Sequence, residues 1–373
     1  MGDAAASRTP EAALVLPSFA SGGAERVVLN LAAGLAGRGW AVRLMALDGR
    51  GPMREHVPSG VGVVDLDRPR ARRAGPAIVA ELRRRPVDLL IGSQTHVNLL
   101  LGLLRPLLPR TMRLVLREPS LRPGADARSA KDRALGRALG RADVVIASSP
   151  AMHEHLVASV RGRARTVLLA NPVDVDGLRA MAASGASGRS DAGPAHLVSV
   201  GRLVGLKAHD DLLRALARSG TDHTLTLVGD GPERGRLEQL ADELGLAGRV
   251  ELTGRIDDPG HLAVTVAAGD VLVHPSRSEG LPNAVLEALA LGTPVLATTD
   301  LTVLAPLADE VESGGLRLVA REDLPDALAR IQARSGPTAG PLRPSLLPAR
   351  FRLPDVVDAL LDASDAVRVR GGA

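Results

Sequence analysis

The chain has 373 residues, too many for one compact core of ordinary size, so we expect two domains. It contains no cysteine, which excludes disulfides, thiolate metal sites and cysteine nucleophiles. Aromatic residues make up 1% of the chain, so its cores must be built from Leu, Val, Ala and Ile.

Two further observations concern membranes and targeting. The most apolar run, residues 99–108, is broken by Arg105 and Pro106 and is too short to span a bilayer. The amino terminus has no basic segment followed by an apolar one, so we expect no signal peptide. We therefore expect a cytoplasmic chain that is either soluble or peripheral at the inner face of the plasma membrane.

The net charge of +4 hides an asymmetry between the two halves of the chain. Residues 1–170 contain 26 Lys and Arg against 14 Asp and Glu, whereas residues 171–373 contain 20 against 28. Two explanations fit this asymmetry equally well. One is a solvated surface rich in Arg, and the other is a surface that approaches an anionic membrane or substrate. Nucleic acid is disfavoured as a partner because no aromatic residues accompany the basic clusters.

The first half alternates short apolar segments with helical patterns. A glycine turn at 19–23 leads into a helix, and a second helix is predicted at 77–85. Strands are predicted at 12–18, 41–48, 61–67, 87–93, 112–118, 142–149 and 165–174. Strands and helices that alternate with short connections predict a doubly wound parallel sheet.

The same pattern starts again in the second half. Helices are predicted at 210–220, at 233–246 and around 282–291. Strands are predicted at 195–203, 223–231, 249–254, 270–276 and 294–300. A linker rich in Pro and Gly, 334–351, then precedes a last amphipathic helix at 355–367. We expect an amino-terminal domain 1–172, on which the carboxyl-terminal helix 352–373 packs, and a carboxyl-terminal domain 173–351.

Two glutamates stand out in the segment 276–295. Glu279 lies in a loop after a predicted strand, where ligands bind in such folds, and Gly280 would allow the backbone to approach a ligand closely. Glu287 lies in an apolar helix, and no Lys or Arg stands three or four positions away. A carboxylate in such a place needs hydrogen-bond donors, and the hydroxyls of a sugar or ribose would supply them.

These residues carry a resemblance to a known family. The run EGLPNAVLEALALGTPVLAT is similar to the E-x7-E signature of the family 4 retaining glycosyltransferases, which have the GT-B fold. The likeness covers nearly the whole chain, in the family's order, through SGGAERVVLNLAAGLAGRG, NPVD, VGRLVGLKAHDDLLRALA, LVGDGPERGRLEQLADELGL, VELTGRIDD and DVLVHPSRSEG. It implies an α/β protein with two doubly wound Rossmann-like domains facing across a cleft.

The resemblance also implies roles for residues of the second half. Arg202 and Lys207 match the pair that holds the donor diphosphate and the leaving group, and a basic pair after a strand and a glycine suits two phosphates. Glu279 matches the residue that faces the transferred sugar, and Glu287 matches the one that binds the ribose hydroxyls. Further donor contacts are implied for Gly280, Leu281, Pro282, Arg255 and Ile256.

In the first half, the resemblance implies that Gly22 and Gly23 approach phosphate through N–H groups at a helix N-terminus. His96 falls close to the place where many members carry a cleft histidine, although its offset from the strand differs and other members have Arg there. The other histidines, including His153, His155, His209 and His274, have no metal-ligand spacing beyond a lone H-x-H and are interpreted as surface or turn residues.

The resemblance thus implies a metal-independent, retaining hexosyltransferase without a cofactor. Its donor would be a nucleotide-diphosphate sugar, with UDP as the expected nucleotide, carrying a hexose or an N-acetylhexosamine. A glycan or lipid-linked acceptor of bacterial cell-surface polysaccharide synthesis is the first expectation, and a small-molecule acceptor of antibiotic type is the second. The rivals are a sugar-nucleotide epimerase of the same fold, which would isomerise the sugar nucleotide without acceptor, and a non-catalytic binding module.

Overall fold

The computed structural model describes residues 8–119, 130–184, 193–312, 314–333 and 342–370. The chain divides into two compact units. One unit consists of Met1–Pro172 together with Leu353–Ala373, and the other consists of Val173–Arg352. Among the described helices, none combines the length and the apolar character that a membrane span requires.

Seven parallel strands form the sheet of the first unit. They are β1 (Glu11–Ser18), β2 (Ala41–Asp48), β3 (Gly62–Asp65), β4 (Leu89–Gly92), β5 (Arg113–Glu118), β6 (Val144–Ala147) and β7 (Arg165–Leu168). Their order across the sheet is β3-β2-β1-β4-β5-β6-β7. The connections reverse direction between β1 and β4, and the loops that follow such a pair of strands are where ligands bind in open α/β sheets.

Helices cover both faces of this sheet. They are α1 (Gly23–Gly37), α2 (Ala71–Arg84), α3 (Thr95–Leu104), α4 (Ala130–Leu139) and α5 (Pro150–Ser159). Leu31 and Leu35 of α1 are buried in one core, on one face of the sheet. Ile78 of α2, Leu101 of α3 and Leu139 of α4 are buried in the other core. Aliphatic side chains fill both cores, as the scarcity of aromatic residues requires.

The second unit repeats the arrangement with six parallel strands. They are β8 (His196–Val200), β9 (Thr224–Val228), β10 (Val250–Gly254), β11 (Val271–His274), β12 (Val295–Thr298) and β13 (Leu316–Val319). Their order is β10-β9-β8-β11-β12-β13, so the direction reverses between β8 and β11. The predicted doubly wound α/β fold is therefore confirmed in both halves. Sequence reasoning did not predict β13, a four-residue edge strand interrupted by the exposed Arg317.

The helices of the second unit alternate with its strands. They are α6 (Val175–Ser184), α7 (His209–Arg218), α8 (Arg234–Glu243), α9 (Pro259–Ala268), α10 (Asn283–Ala290), α11 (Ala305–Glu310) and α12 (Leu324–Ala329). Residues 334–341 of the predicted linker lie outside the described residues. The following stretch packs against the unit, because Arg343 donates to the carbonyl of Gly269 at 2.7 Å and Leu346 N–H donates to the carbonyl of Leu289 at 2.8 Å.

A last helix, α13 (Leu353–Arg370), completes the first unit. Leu353, Val356, Val357 and Leu360 are buried in the same core as the apolar face of α1. The two helices meet at Gly34, where an added Cβ would lie 2.5 Å from Cγ2 of Val357 and 2.8 Å from Cδ1 of Leu353. A glycine at this position of α1 therefore allows α13 to approach closely.

We expect Gly34→Val to destabilise the first unit by about 1–3 kcal/mol, because the larger side chain overpacks the contact between α1 and α13. The measurement is urea unfolding followed by the fluorescence of Trp40, the single Trp of the chain, which packs against this core. Gly37→Ala in the same helix is the control, since nothing lies within 4 Å of a Cβ there. Equal midpoints for the two variants would contradict the close contact.

Candidate active site

The reversal of the second sheet brings two loops to the same edge. The loop 201–208 connects β8 to α7 and carries Arg202 and Lys207, whereas the loop 275–282 connects β11 to α10 and carries Glu279. Because β8 and β11 pair in parallel, both loops leave from their carboxyl ends. Nζ of Lys207 forms a salt bridge with Oε1 of Glu279, although 72 residues separate them in sequence. Two predicted site residues are therefore in direct contact.

Glu279 is held as a carboxylate. Its Oε1 lies 3.2 Å from Nε2 of His274, in addition to the contact with Lys207. Burial alone would raise the pKa of Glu279, but the hydrogen bond with His274 and the charge of Lys207 outweigh burial and lower the pKa to about 2. Glu279 is therefore ionised at neutral pH, and one of its oxygens is already fixed by two neighbours.

His209 and His274 correct the interpretation of these histidines as surface or turn residues. Each is only 2% exposed. Burial, together with the positive charge of Lys207, lowers the pKa of His209 to about 4, and burial also lowers the pKa of His274. Both rings are therefore neutral at pH 7. Within the described residues, no group of three or more His, Cys, Asp or Glu side chains is placed to hold a metal ion.

Ion pairs brace the two loops against α7. The N–H of Arg277 donates to the carbonyl of Leu206 at 2.9 Å, and its guanidinium lies 2.6 Å from Asp211 of α7. Arg321 binds the same carboxylate at 2.8 Å and donates to the carbonyl of Pro275 at 2.9 Å. Sequence reasoning missed this network, because its members are spread over more than a hundred residues.

Gly229 allows the loops after β8 and β9 to lie backbone against backbone. A Cβ on Gly229, whose φ is 149°, would lie 1.8 Å from the carbonyl oxygen of Gly201. A Cβ on Gly201 would lie 3.5 Å from Cδ of Lys207, so the aliphatic stem of this lysine lies over the glycine.

Arg202, Arg255 and Ile256 occupy more peripheral places on the same edge. Arg202 is exposed on the loop after β8, two residues beyond the strand. Arg255 and Ile256 directly follow β10 at the edge of the sheet, and the exposed Arg255 forms a 2.8 Å ion pair with Asp257. All three residues lie at the carboxyl ends of strands, but the structure does not bring them into the cluster around Glu279.

The segment that joins Glu279 to Glu287 leads into α10. Gly280 and Pro282 are buried, and Leu281 is half-buried. The sequence placed Pro282 in the first helical turn, whereas the structure makes it the extended N-cap residue, with φ −74° and ψ 113°, before a helix that begins at Asn283. Glu287 is half-buried and interacts with other groups of the chain, so its carboxylate is not an isolated buried charge.

The first unit has a comparable cluster at its own reversal, between β1 and β4. Gly22 is extended and Gly23 begins α1. Glu25 in the first turn of α1 accepts a 2.6 Å hydrogen bond from the amide of Gln94, which follows β4. A Cβ on Gly22 would lie 2.3 Å from Oε2 of Glu25, so a side chain at this position would displace the carboxylate from its present place. The glycine turn was predicted, but the pairing of Glu25 with Gln94 was missed.

His96 lies in the first turn of α3, two residues beyond Gln94. The residue is exposed as a whole. The surrounding protein nevertheless removes enough water from the ring to lower the pKa of His96, while the charge of Glu25 partly opposes this shift. The structure therefore places His96 within the electrostatic influence of the Glu25 cluster.

A buried charged pair lies beneath His96, at the end of β5. Arg117 is 3% exposed, Glu118 is 5% exposed, and burial lowers the pKa of Arg117 to about 10 although Glu118 raises it. Glu118 accepts hydrogen bonds of 2.7 Å from Thr95 and Asn98 of α3, and Arg117 donates to Asn171. The only sequence signal was the polar ending of an otherwise apolar strand, LVLRE.

Two doubly wound units, each with charged side chains gathered where its sheet reverses, define a protein of the GT-B fold. Residues 21–176 match the family model described as Glycosyltransferase Family 4, and residues 194–334 match the model described as Glycosyl transferases group 1. The two models together account for most of the chain. The chain belongs to the family 4 glycosyltransferases, so the family that the sequence resembled is confirmed.

Curated relatives match over a shorter stretch. The chain is 43% identical over 102 residues to the lipopolysaccharide core biosynthesis glycosyltransferase LpsE of Rhizobium meliloti, and 38% identical over 101 residues to the 2-deoxystreptamine glucosyltransferase of Streptomyces kanamyceticus. These matches cover 27% and 26% of this chain. They span 29% of LpsE and 26% of the glucosyltransferase, so the chain matches less than a third of the length of either relative.

The fold matches solved structures over almost its full length. The crystal structure of Anabaena HepE in complex with UDP and glucose is similar with a TM-score of 0.69 and 20% sequence identity. The match covers 96% of this chain and 100% of that chain. At this level of identity the comparison establishes the fold.

The low pKa of His209 predicts that the second unit loses stability in acid. The unfolded ring has a pKa of about 6.5 and the folded ring one of about 4. The unfolded state therefore binds more protons between these values, so the stabilising contribution is present above pH 6.5 and is lost as the pH falls through 4. We expect a loss of about 2–3 kcal/mol over this interval, with His274 adding a loss in the same direction.

Urea unfolding followed by circular dichroism, with hydrogen exchange in β8 and β11, measures this loss. His209→Gln, which has no proton to bind in this range, should unfold with a shallower pH dependence than the parent chain. The exposed His261→Gln is the matched control and should keep the parent slope. Identical slopes for the parent chain and His209→Gln would show that His209 is not buried as a neutral ring.

Proposed function

We propose that this chain is a retaining glycosyltransferase that moves a hexose or an N-acetylhexosamine from a UDP-linked sugar to a glycan or lipid-linked acceptor in bacterial cell-surface polysaccharide synthesis. The observation that carries the proposal is the ionised Glu279 in contact with Lys207, where the loops after β8 and β11 meet. A fixed carboxylate can accept hydrogen bonds from sugar hydroxyls, and an adjacent ammonium group can bind a phosphate.

In the proposed reaction, the bond between the anomeric carbon and the diphosphate breaks first. Lys207 and Arg202 stabilise the negative charge that develops on the leaving diphosphate. The acceptor hydroxyl then attacks the same face of the sugar, and its proton passes to the departing phosphate oxygen. Glu279 accepts hydrogen bonds from the sugar hydroxyls and keeps the ring in place. No protein nucleophile forms a bond in this scheme.

The cationic groups in the proposal belong to the protein. Lys207 and Arg202 follow β8 on one loop, and Gly280 and Leu281 stand in the loop before α10, where their backbone groups are proposed to contact the donor. Lysine and arginine side chains can neutralise a diphosphate without a bound divalent ion. We therefore propose that activity needs neither a metal nor another cofactor and persists in the presence of a chelator.

The choice of donor and acceptor draws on the similar proteins. HepE was crystallised with UDP and glucose, which supports UDP as the nucleotide proposed here. The name of LpsE supports an acceptor in lipopolysaccharide core synthesis. The similarity to a 2-deoxystreptamine glucosyltransferase favours a second candidate function, the glycosylation of a small-molecule acceptor. A transfer assay with UDP-sugars and both kinds of acceptor separates the two.

Replacing either cation of the loop after β8 should slow transfer strongly. Each charge-assisted contact that strengthens in the transition state contributes about 2–4 kcal/mol, so Arg202→Ala and Lys207→Ala should each lower kcat by about 30-fold to 1000-fold. Arg214→Ala is the control, since Arg214 is exposed on α7 in the same unit. A kcat within about threefold of the parent value for both variants would remove the leaving-group assignment.

Replacing Glu287 should weaken nucleotide binding. Glu287→Gln removes the charge that accepts hydrogen bonds from the ribose hydroxyls, so UDP binding measured by calorimetry should weaken by about tenfold or more. The exposed Glu322→Gln in the same unit is the control for a general loss of negative charge. If Glu287→Gln binds UDP as tightly as Glu322→Gln does, Glu287 is not the ribose ligand.

A further inference from the structure

The outward face of α3 carries exposed leucines. Val97 and Leu101 point into the core, whereas Leu103 is 55% exposed and Leu107, in the turn that continues α3, is 56% exposed. Leu99 is half-buried and lies on the same side at helical spacing. Exposed large apolar side chains that line one helix face indicate an interaction surface more strongly than scattered ones do.

Helix α3 lies between α2 and α4 in the layer that covers this face of the sheet. A Cβ on Gly75 of α2 would lie 3.4 Å from Cδ2 of Leu104 in α3. On the other side, a Cβ on Gly102 of α3 would lie 2.3 Å from the carbonyl oxygen of Ala138 in α4. Gly102 thus allows α3 to approach α4 closely, α2 packs on the other side of α3, and the exposed leucines form the middle of the layer.

The two flanking helices present basic side chains. On α2, the arginines at 72, 73, 83 and 84 are exposed, and on α4 those at 133 and 137 are exposed. The acidic groups on these helices, Glu81 and Asp132, are fewer than the six exposed arginines, and Glu81 is buried and paired with Arg84. The layer therefore combines an apolar centre with a positively charged border.

We infer that this layer, consisting of Leu103 and Leu107 with the flanking arginines of α2 and α4, is the surface by which the chain docks on an anionic lipid bilayer. Exposed leucines can insert between headgroups while arginines bind the acidic headgroups around them. A second copy of the same face would oppose arginines to arginines, which disfavours self-association through it. The inference specifies where the basic first half meets lipid.

The position of the surface agrees with the proposed acceptor. Helix α3 begins at Thr95, directly beyond β4, and ends at Leu104, so His96 and Leu103 lie on one helix about 10 Å apart along its axis. A lipid-linked acceptor held in the bilayer would therefore be close to His96, the candidate for the family's cleft histidine. This step rests on the proposed function, whereas the docking surface itself does not.

Vesicle sedimentation with the full chain tests the inference. The vesicles are phosphatidylcholine alone, or phosphatidylcholine with about 30% phosphatidylglycerol, at about 50 mM and about 300 mM NaCl. We expect the chain to prefer the anionic vesicles by about tenfold or more at low salt and to dissociate as salt rises. Equal partitioning onto both kinds of vesicle, or no binding at low salt, would overturn the inference.

Substitutions identify the surface. Leu103→Ser with Leu107→Ser should lower binding to anionic vesicles by about fivefold or more, and Arg73→Glu with Arg137→Glu should abolish it. The controls are Leu168→Ser, which alters a leucine that is 46% exposed on β7, and the exposed Arg317→Glu in the other unit. Binding by the double leucine variant that equals binding by the Leu168→Ser control would refute the assignment. A dimer of the parent chain that the double leucine variant no longer forms, measured by sedimentation velocity, would refute it as well.

Two further readouts keep this inference separate from the proposed function. UDP binding by calorimetry, and transfer to an acceptor without a lipid, should be unchanged in the double leucine variant because neither residue belongs to the candidate active site. A chain that binds anionic vesicles through this face but transfers no sugar would overturn the function and support the surface. A chain that transfers sugar but ignores these vesicles would do the reverse.

Discussion

The pairing of β8 with β11 is the constraint on which the candidate active site depends. It places the loop that carries Lys207 beside the loop that carries Glu279, and it buries His274 at the end of β11 against the same carboxylate. A salt bridge on an open surface contributes little, because water competes for both partners. Here both side chains are mostly shielded, at 20% and 16% exposure, and the histidine satisfies a further interaction of the carboxylate. The sheet therefore supplies the environment in which this contact is strong.

The two units use one topology for two electrostatic purposes. In the first unit, the loops at the reversal are joined by the neutral amide of Gln94 and the carboxylate of Glu25. In the second unit, the equivalent loops are joined by an ammonium group and a carboxylate. The amide of Gln94 is neutral and does not offset the negative charge of Glu25. The positive charge of Lys207, in contrast, offsets that of Glu279. The same backbone plan thus joins the two loops by a hydrogen bond to a neutral amide in one unit and by a salt bridge in the other.

Periodicity predicted most of the fold. Twelve of the thirteen strands of the described sheets coincide with apolar segments recognised in the sequence, because buried parallel strands consist of near-continuous Val, Leu, Ile and Ala. Strand β13 escaped recognition because it has four residues, one of them an exposed arginine. Several helices, such as α3, were also missed, since LGLL and the preceding leucines show no polar face. That apolar helix is the one whose outer leucines remain exposed.

The candidate site was predictable in composition and only partly in geometry. The family signature named Lys207 and Glu279, and the structure places them in contact. The signature did not indicate that His209 and His274 are buried, because the sequence around a histidine does not show whether its side chain is exposed. Nor did it indicate the Arg321 and Asp211 pair, whose members are 110 residues apart and meet only once β12 and β13 have joined the sheet. Contacts of this kind depend on the tertiary fold.

The return of α13 to the first unit has a consequence for synthesis on the ribosome. Leu353, Val356, Val357 and Leu360 complete a core whose other members lie before Pro172, so that core stays open while the whole of Val173–Arg352 is being made. At about 5–20 residues per second, this interval lasts on the order of ten seconds or more. The second unit, whose chain is continuous, can fold during that time. The first part of the protein to be translated is therefore the last to be closed.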